Sequence, residues 1–342
     1  MKVAAVQIDT RSGQVSDNLD HVERLARAAF DAGAKTVALP EFFSGKLAPN
    51  DEAFKVALPK DHVALAMMVE LARRYSGTIG GSVLVADGDD LYNRYYLALA
   101  DGTVHAHDKD LPTMWENAFY VGGHDDGVFE TPDGGIGAAV CWELIRTQTL
   151  ARMKGRVKLV LTGTHWWDMP ENWPGASSLL GPIGQYNRYM SEQAPVEFAR
   201  RIGVPVVQAS HCGTLSGRYM VTAGADWGFE YQTRFVGQTQ IVDAKGKVLA
   251  ARNTMEGPGF VTAEIDTTAD ADPVFPNLDY DFWIPNLPLF HKLYWSQQNW
   301  AAKSYYRRKG RRQGLDAARE NEKLTRTPAQ DAVQDAVQDA AD

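Results

Sequence analysis

Glu41, Lys109 and Cys141 are far apart in the chain, yet each stands where an apolar run that reads as a strand comes to an end. A thiol with an unperturbed pKa of about 8.5 is mostly protonated at neutral pH, and a neighbouring carboxylate can take its proton as the sulfur attacks. A lysine adds a positive charge that stabilises the anionic tetrahedral species formed at a carbonyl or nitrile carbon. Groups at strand ends can converge on one cleft from distant positions. Singly, each residue has a plainer role: Cys141 as a small buried hydrophobe, Glu41 as a loop carboxylate, Lys109 as a solvated strand terminus. Their shared placement is what points to nucleophilic catalysis.

The elements that must hold them alternate between helix and strand. KVAAVQI, NLDHVERLARAAFDAGA and TVALP read as one strand-helix-strand unit, with SDN starting the helix and Gly33 stopping it. DHVALAMMVELARRY is a second amphipathic helix, followed by the strand GTIGGSVLVA. DGDD and a later DG turn set up hairpins through LYNRYYLALA and TVHAHDKDL, the second of which delivers Lys109. GGIGAAV leads into Cys141, KLVLTGT is a further buried strand, and EQAPVEFARRIG a further helix. VPVVQASHCG, GQTQIVDAKGKVLAAR and GFVTAEID complete the strands.

No linker interrupts residues 1–272, which read as one domain of sheet covered by helices. Residues 273–325 are expected to form an arm rich in proline and aromatics, lying across this chain or a neighbouring subunit. The tail 326–342 repeats DAVQ with only small apolar side chains, and a mobile tail is expected there. With 342 residues and 44% hydrophobic content, the chain can bury a large core. A net charge of -8 gives no general attraction to nucleic acid or to anionic membranes. MKVAAVQIDT is broken by Gln7 and Asp9 before it forms a signal core, so a cytoplasmic location is the expectation. Cys141 and Cys212 are expected to stay as thiols there.

LPEFF around Glu41, HDKDLPTMWENAFY around Lys109 and GAAVCWELI around Cys141 resemble the three catalytic motifs of the nitrilase superfamily of carbon-nitrogen hydrolases. The similarity extends from MKVAAVQID to GFVTAEID near residue 265. It implies a four-layer αββα sandwich with Glu41 as general base, Lys109 as oxyanion-stabilising cation and Cys141 as nucleophile. Glu116 matches a second glutamate that orients the lysine and substrate, and the backbone N–H of Trp142 is an expected oxyanion donor. His165, Trp166 and Trp167 follow the strand KLVLTGT, where family members place substrate contacts. The resemblance also implies a homodimer or larger homo-oligomer, acting on a small molecule without metal or cofactor.

Superfamily members act on nitriles, amides and carbamoyl compounds through a thioester or thioimidate. The spacing of Lys109, Pro112, Thr113 and Glu116, together with CWE, resembles true nitrilases. Thr147 or Gln148 stands where a proline is common, however, and Asn117 where an arginine follows the second glutamate. The expectation is therefore a nitrile substrate, with an amide as the alternative and a catalytically silent scaffold as the reading from another class. His105 and His107 share one face of a strand but lack a third ligand at a recognisable spacing, so no metal is expected there. Cys212 reads as a packed thiol and RRKGRR at 307–312 as a solvated helix end, while Glu143 receives no role.

Overall fold

The computed structural model describes residues 1–173, 176–221, 228–268 and 288–324. Its strands are β1 (Lys2–Ile8), β2 (Thr36–Ala38), β3 (Thr78–Asp87), β4 (Asp90–Ala98), β5 (Val104–Asp108), β6 (Val128–Phe129) and β7 (Ile136–Ala138). They continue as β8 (Leu159–Thr164), β9 (Val206–His211), β10 (Thr214–Met220), β11 (Gly228–Arg234), β12 (Thr239–Val242), β13 (Val248–Arg252) and β14 (Gly259–Glu264). The helices are α1 (Val15–Asp31), α2 (Val63–Arg74), α3 (Thr147–Met153), α4 (Ala176–Ile202), α5 (Leu289–Tyr305) and α6 (Arg311–Asn321).

Strands β10 and β11 pair with each other as a separate two-stranded sheet, and the other described strands form two half-sheets. One runs β5-β4-β3-β2-β1-β14 and the other β6-β7-β8-β9-β12-β13, and among the described residues they join only where Gln7 and Ile8 pair with Ser210 and His211. Strand alternation in β1 divides its side chains between two cores. Val3 and Ala5 pack between the half-sheets with Ala38, Leu97, Leu161 and Val207. Ala4 and Val6 face outward, against Leu19, Val22 and Ala26 of α1 and Met67 and Leu71 of α2. Each such fully buried large aliphatic side chain contributes about 1.5–3 kcal/mol relative to exposure. On the far side α4 covers β9 and β12, and α3 brings Met153 over Gly137 of β7. The architecture is the four-layer αββα sandwich.

One element differs from the sequence reading. Helix α4 starts at Ala176 rather than near Glu192 and contains Pro182 and Pro195. Pro195 lies inside the expected helix EQAPVEFARRIG, and the buried face of Met190, Ala194 and Phe198 holds the helix through it although proline lacks a backbone donor. The described part of the C-terminal arm is helical and lies on this same chain. Gln298 donates to the Met220 carbonyl at 2.7 Å, Tyr306 to Asp90 at 2.9 Å and Asn321 to the Ala57 carbonyl at 2.7 Å. The basic run 307–312 lies where α5 passes into α6. Residues 273–287 and the expected mobile tail 326–342 lie outside the described residues.

Candidate active site

Glu41 follows the carboxyl end of β2, Lys109 that of β5, Cys141 that of β7 and His165 that of β8. The loop bearing Glu41 presses on β8 so closely that a Cβ on Gly163 would lie 2.4 Å from the Glu41 nitrogen. Only glycine fits that approach. Among the described residues, five non-glycine positions have positive φ, and three of them fall in the three motifs: Phe42 at 52°, Met114 at 52° and Cys141 at 56°. Such backbone costs about 1–3 kcal/mol per residue and persists where surrounding structure imposes it. Here it turns the chain sharply at each strand end and so aims the motif side chains inward.

Glu41, Lys109, Glu116 and Cys141 are all buried. Lys109 Nζ donates to Glu41 Oε1 and to Glu116 Oε2, each at 2.8 Å. Asn93 Nδ2 also donates to Glu41 Oε1, at 2.7 Å, and the His165 backbone N–H donates to Glu41 Oε2 at 2.8 Å. Glu116 is further held by the Thr113 N–H at 2.9 Å and the Tyr120 hydroxyl at 2.6 Å. Burial pushes the Glu41 pKa up to about 7, although the Lys109 ammonium pulls against it. Burial favours neutral Lys109, but Glu116 and Glu41 outweigh it and hold the ammonium protonated well above the usual lysine range. Burial and then the Glu41 charge push the Cys141 thiol well up, with Lys109 and the His165 N–H opposing. The resting site therefore holds a neutral thiol beside a carboxylate poised near neutrality and a fixed cation. That set can accept a proton, attack an electrophilic carbon and stabilise the resulting oxyanion.

Behind this set lies a second network. Glu143, in the short turn Cys141–Ile145, accepts from the Val140 N–H at 2.7 Å and the Asp110 N–H at 3.0 Å. It thereby ties the residue before Cys141 to the residue after Lys109. His107 Nε2 meets Glu143 Oε2 at 3.0 Å, and its Nδ1 is bonded to Asp125. Burial alone would lower the His107 pKa, but Glu143 and then Asp125 raise it to about 10. Both ring nitrogens thus face carboxylates, while the His105 ring stacks on Phe129 with centroids 5.3 Å apart.

The cavity over Cys141 is lined by Met114, Trp142, His165, Trp166, Trp167 and His291, with Thr113, Glu116, Met169 and Asn187 at its edges. All three pocket candidates from the sequence reach it. The Trp142 and Trp166 rings lie 5.7 Å apart, and Trp167 stacks on Trp115 at 5.3 Å. The His165 Nε2 accepts from the Leu47 N–H at 3.2 Å, which leaves its proton on Nδ1. A volume of about 10 Å³ accommodates one water, so a larger ligand displaces side chains to enter. A roomier hollow of about 500 Å³ between Phe54, Phe119, Tyr231 and Tyr305 is lined by none of Glu41, Lys109, Glu116 and Cys141. Cys212 is packed, its thiol donating to the Ile8 carbonyl at 3.4 Å, and burial raises its pKa to about 12.

Sequence reasoning missed Asn93, Tyr120, His107 and His291. Asn93 carried a readable signal, because Leu91, Asn93, Tyr95 and Leu97 share the buried face of β4 and only one of them has a side-chain amide. His291 carried none, since it lies in α5, beyond every motif.

Comparisons with known proteins give the family and the fold. Residues 2–272 match the family model for carbon-nitrogen hydrolases. An N-carbamoylputrescine amidase of Arabidopsis thaliana is 34% identical over 143 residues, covering 39% of this chain and 48% of the relative. A bifunctional nitrilase/nitrile hydratase of Lupinus angustifolius is 31% identical over 179 residues, covering 44% and 51%. The chain thus spans about half the length of these curated relatives. A mutant amidase from a Nesterenkonia species, solved after Michael addition of acrylamide at its active-site cysteine, aligns with a TM-score of 0.56. It is 18% identical, and the match covers 86% of this chain and 99% of that one. With the family model matched along most of its length and the fold shared, the chain belongs to the carbon-nitrogen hydrolase family.

Proposed function

We propose that the chain hydrolyses a non-peptide carbon-nitrogen bond of a small molecule through a covalent intermediate on Cys141. The observation that carries this reading is Lys109 bonded at 2.8 Å to both Glu41 and Glu116 in a buried cluster with Cys141. Glu41 takes the thiol proton as the sulfur bonds to the substrate carbon, and the developing charge is met by the Lys109 ammonium and the Trp142 N–H. With an amide, the tetrahedral species collapses, the proton from Glu41 leaves with ammonia, and a thioester remains. Glu41 then deprotonates a water that attacks the thioester, which releases the acid and returns the proton to sulfur. With a nitrile, addition first gives a thioimidate; one water adds and ammonia leaves, and a second water cleaves the thioester. Glu116 keeps Lys109 and substrate in register.

The nitrile reading is favoured by the spacing of Lys109, Pro112, Thr113 and Glu116 and by the CWE run. The amide reading is favoured by the Arabidopsis amidase relative, at 34% identity against 31% for the Lupinus nitrilase/nitrile hydratase. Ammonia release from a matched nitrile and amide, with Cys141→Ala as control, tests both. Faster turnover of the nitrile supports the first reading, and faster turnover of the amide replaces it with the second. Release by neither would support a silent scaffold. A homodimer or larger homo-oligomer is proposed from family resemblance, and light scattering of the purified chain tests the assembly.

A further inference from the structure

His291 stands in the first turn of α5, outside the segment 2–272 that matches the family, yet it lines the cavity over Cys141. It is 2% exposed, and among the described residues neither of its ring nitrogens has a hydrogen-bond partner. Its packing partner is the Tyr186 ring, edge-on at 5.7 Å. Leaving a buried polar group unpaired costs about 1–3 kcal/mol, so native structures rarely keep one without a use. The neighbouring Asn187 does not answer it, because its Oδ1 accepts from Trp166 Nε1 at 2.9 Å and its Nδ2 donates to the Trp167 carbonyl at 3.0 Å. The rest of the wall is Met114, Met169 and tryptophan, with Thr113, Glu116 and His165, whose Nδ1 also lacks a partner, on the side of the motif residues.

We infer that His291 is a specificity residue that pairs with a neutral hydrogen-bonding group on the substrate, remote from the scissile carbon and of hydroxyl or carboxamide type. This rests on the hydrolase reading of the same site. Burial lowers the His291 pKa and keeps the ring neutral, with one nitrogen a donor and the other an acceptor. A hydroxyl or carboxamide can donate or accept and so can answer whichever nitrogen faces the cavity, whereas a carboxylate answers only the donor and a hydrocarbon answers neither. The matched family segment supplies Glu116 and His165 to this pocket, and α5 adds a second imidazole to it.

The test compares ammonia release from butanamide and from its terminally hydroxylated counterpart, and from the same two compounds as nitriles, by the full chain and by His291→Phe and His291→Gln. The expected result is a kcat/KM ratio of about tenfold or more in favour of the hydroxylated compound. His291→Phe should collapse that ratio to near one, and His291→Gln, which keeps a donor and an acceptor, should retain part of it. A wild-type ratio near one, or a ratio that His291→Phe leaves intact, overturns the inference while the hydrolase reading stands. The wild-type ratio decides the matter even if His291→Phe fails to fold. Absence of ammonia from all four compounds overturns both.

Discussion

The Lys109 ammonium lies 2.8 Å from Glu41 Oε1, and both side chains are buried. In the proposed mechanism this pair also steadies the base, the carboxylate that burial lifts to about 7. A base in that range accepts a proton readily near neutral pH and releases it again. The proton must be absent from Glu41 for attack to begin. We therefore expect kcat/KM to rise with pH through about 7 and then level, with no alkaline fall until the Lys109 ammonium titrates, well above the usual lysine range. Glu41→Gln should lower kcat by about 10²–10⁴-fold and remove the acid limb. A pH-rate profile of both forms checks this, and an unchanged acid limb in the variant would assign it to another group.

Gly163 sets the distance between β8 and the Glu41 loop. Gly163→Ala would place a Cβ 2.4 Å from the Glu41 nitrogen, against backbone that cannot yield cheaply. We expect a loss of about 1–3 kcal/mol in stability, typical of overpacking, together with a fall in kcat larger than the change in KM. Denaturant unfolding and steady-state kinetics on the one variant measure both, and a stable variant of full activity would show that the approach is not needed.

The pair His107 and Glu143 should govern stability in a definite pH window. The folded pKa of His107 is raised from 6.5 to about 10, so its contribution is complete below 6.5 and lost as pH rises through about 10. The folded pKa of Glu143 is lowered from 4.5, because His107 and Arg152 outweigh its burial, so its contribution fades as pH falls below 4.5. His107→Gln should thus destabilise most between roughly pH 5 and 6.5 and progressively less towards pH 10. Breaking a buried pair of this kind costs about 3–5 kcal/mol. Thermal unfolding of both forms across that range tests it, and a pH-independent difference would contradict the pairing.

Tyr120 anchors Glu116 through its hydroxyl at 2.6 Å. Tyr120→Phe keeps the ring packing on Phe42 and removes that bond together with the longer one, 3.5 Å, that the hydroxyl accepts from Asn93 Nδ2. A hydrogen bond to a charged group contributes about 1.5–3 kcal/mol, so stability should fall by that order. A chemical-denaturation midpoint that does not move would show that Glu116 needs no such anchor.

The strand ends that carry Glu41, Lys109 and Cys141 were legible because apolar runs and turn residues mark them locally. The sandwich itself was legible only through motif resemblance, since nothing in β1 announces that it pairs with β2, β9 and β14. Glu143 received no role from the sequence because its partner His107 is 36 residues away, and the two meet only through the placement of β5 and β7. The same holds for His291, whose place over Cys141 depends on how α5 folds back, a matter of tertiary packing rather than periodicity. The first part of helix α4, from Ala176, lies outside the run EQAPVEFARRIG that reads as helical.

The most direct test of the account is intact-protein mass spectrometry after exposure to slowly turned-over amides and nitriles. Wild-type protein should carry one acyl or imidate adduct, and peptide mapping should place it on Cys141 and not on Cys212, whose thiol burial holds protonated to about 12. Cys141→Ala should show neither adduct nor ammonia. An adduct on Cys212, or ammonia release by Cys141→Ala at the wild-type rate, would contradict the central claim that Cys141 is the nucleophile.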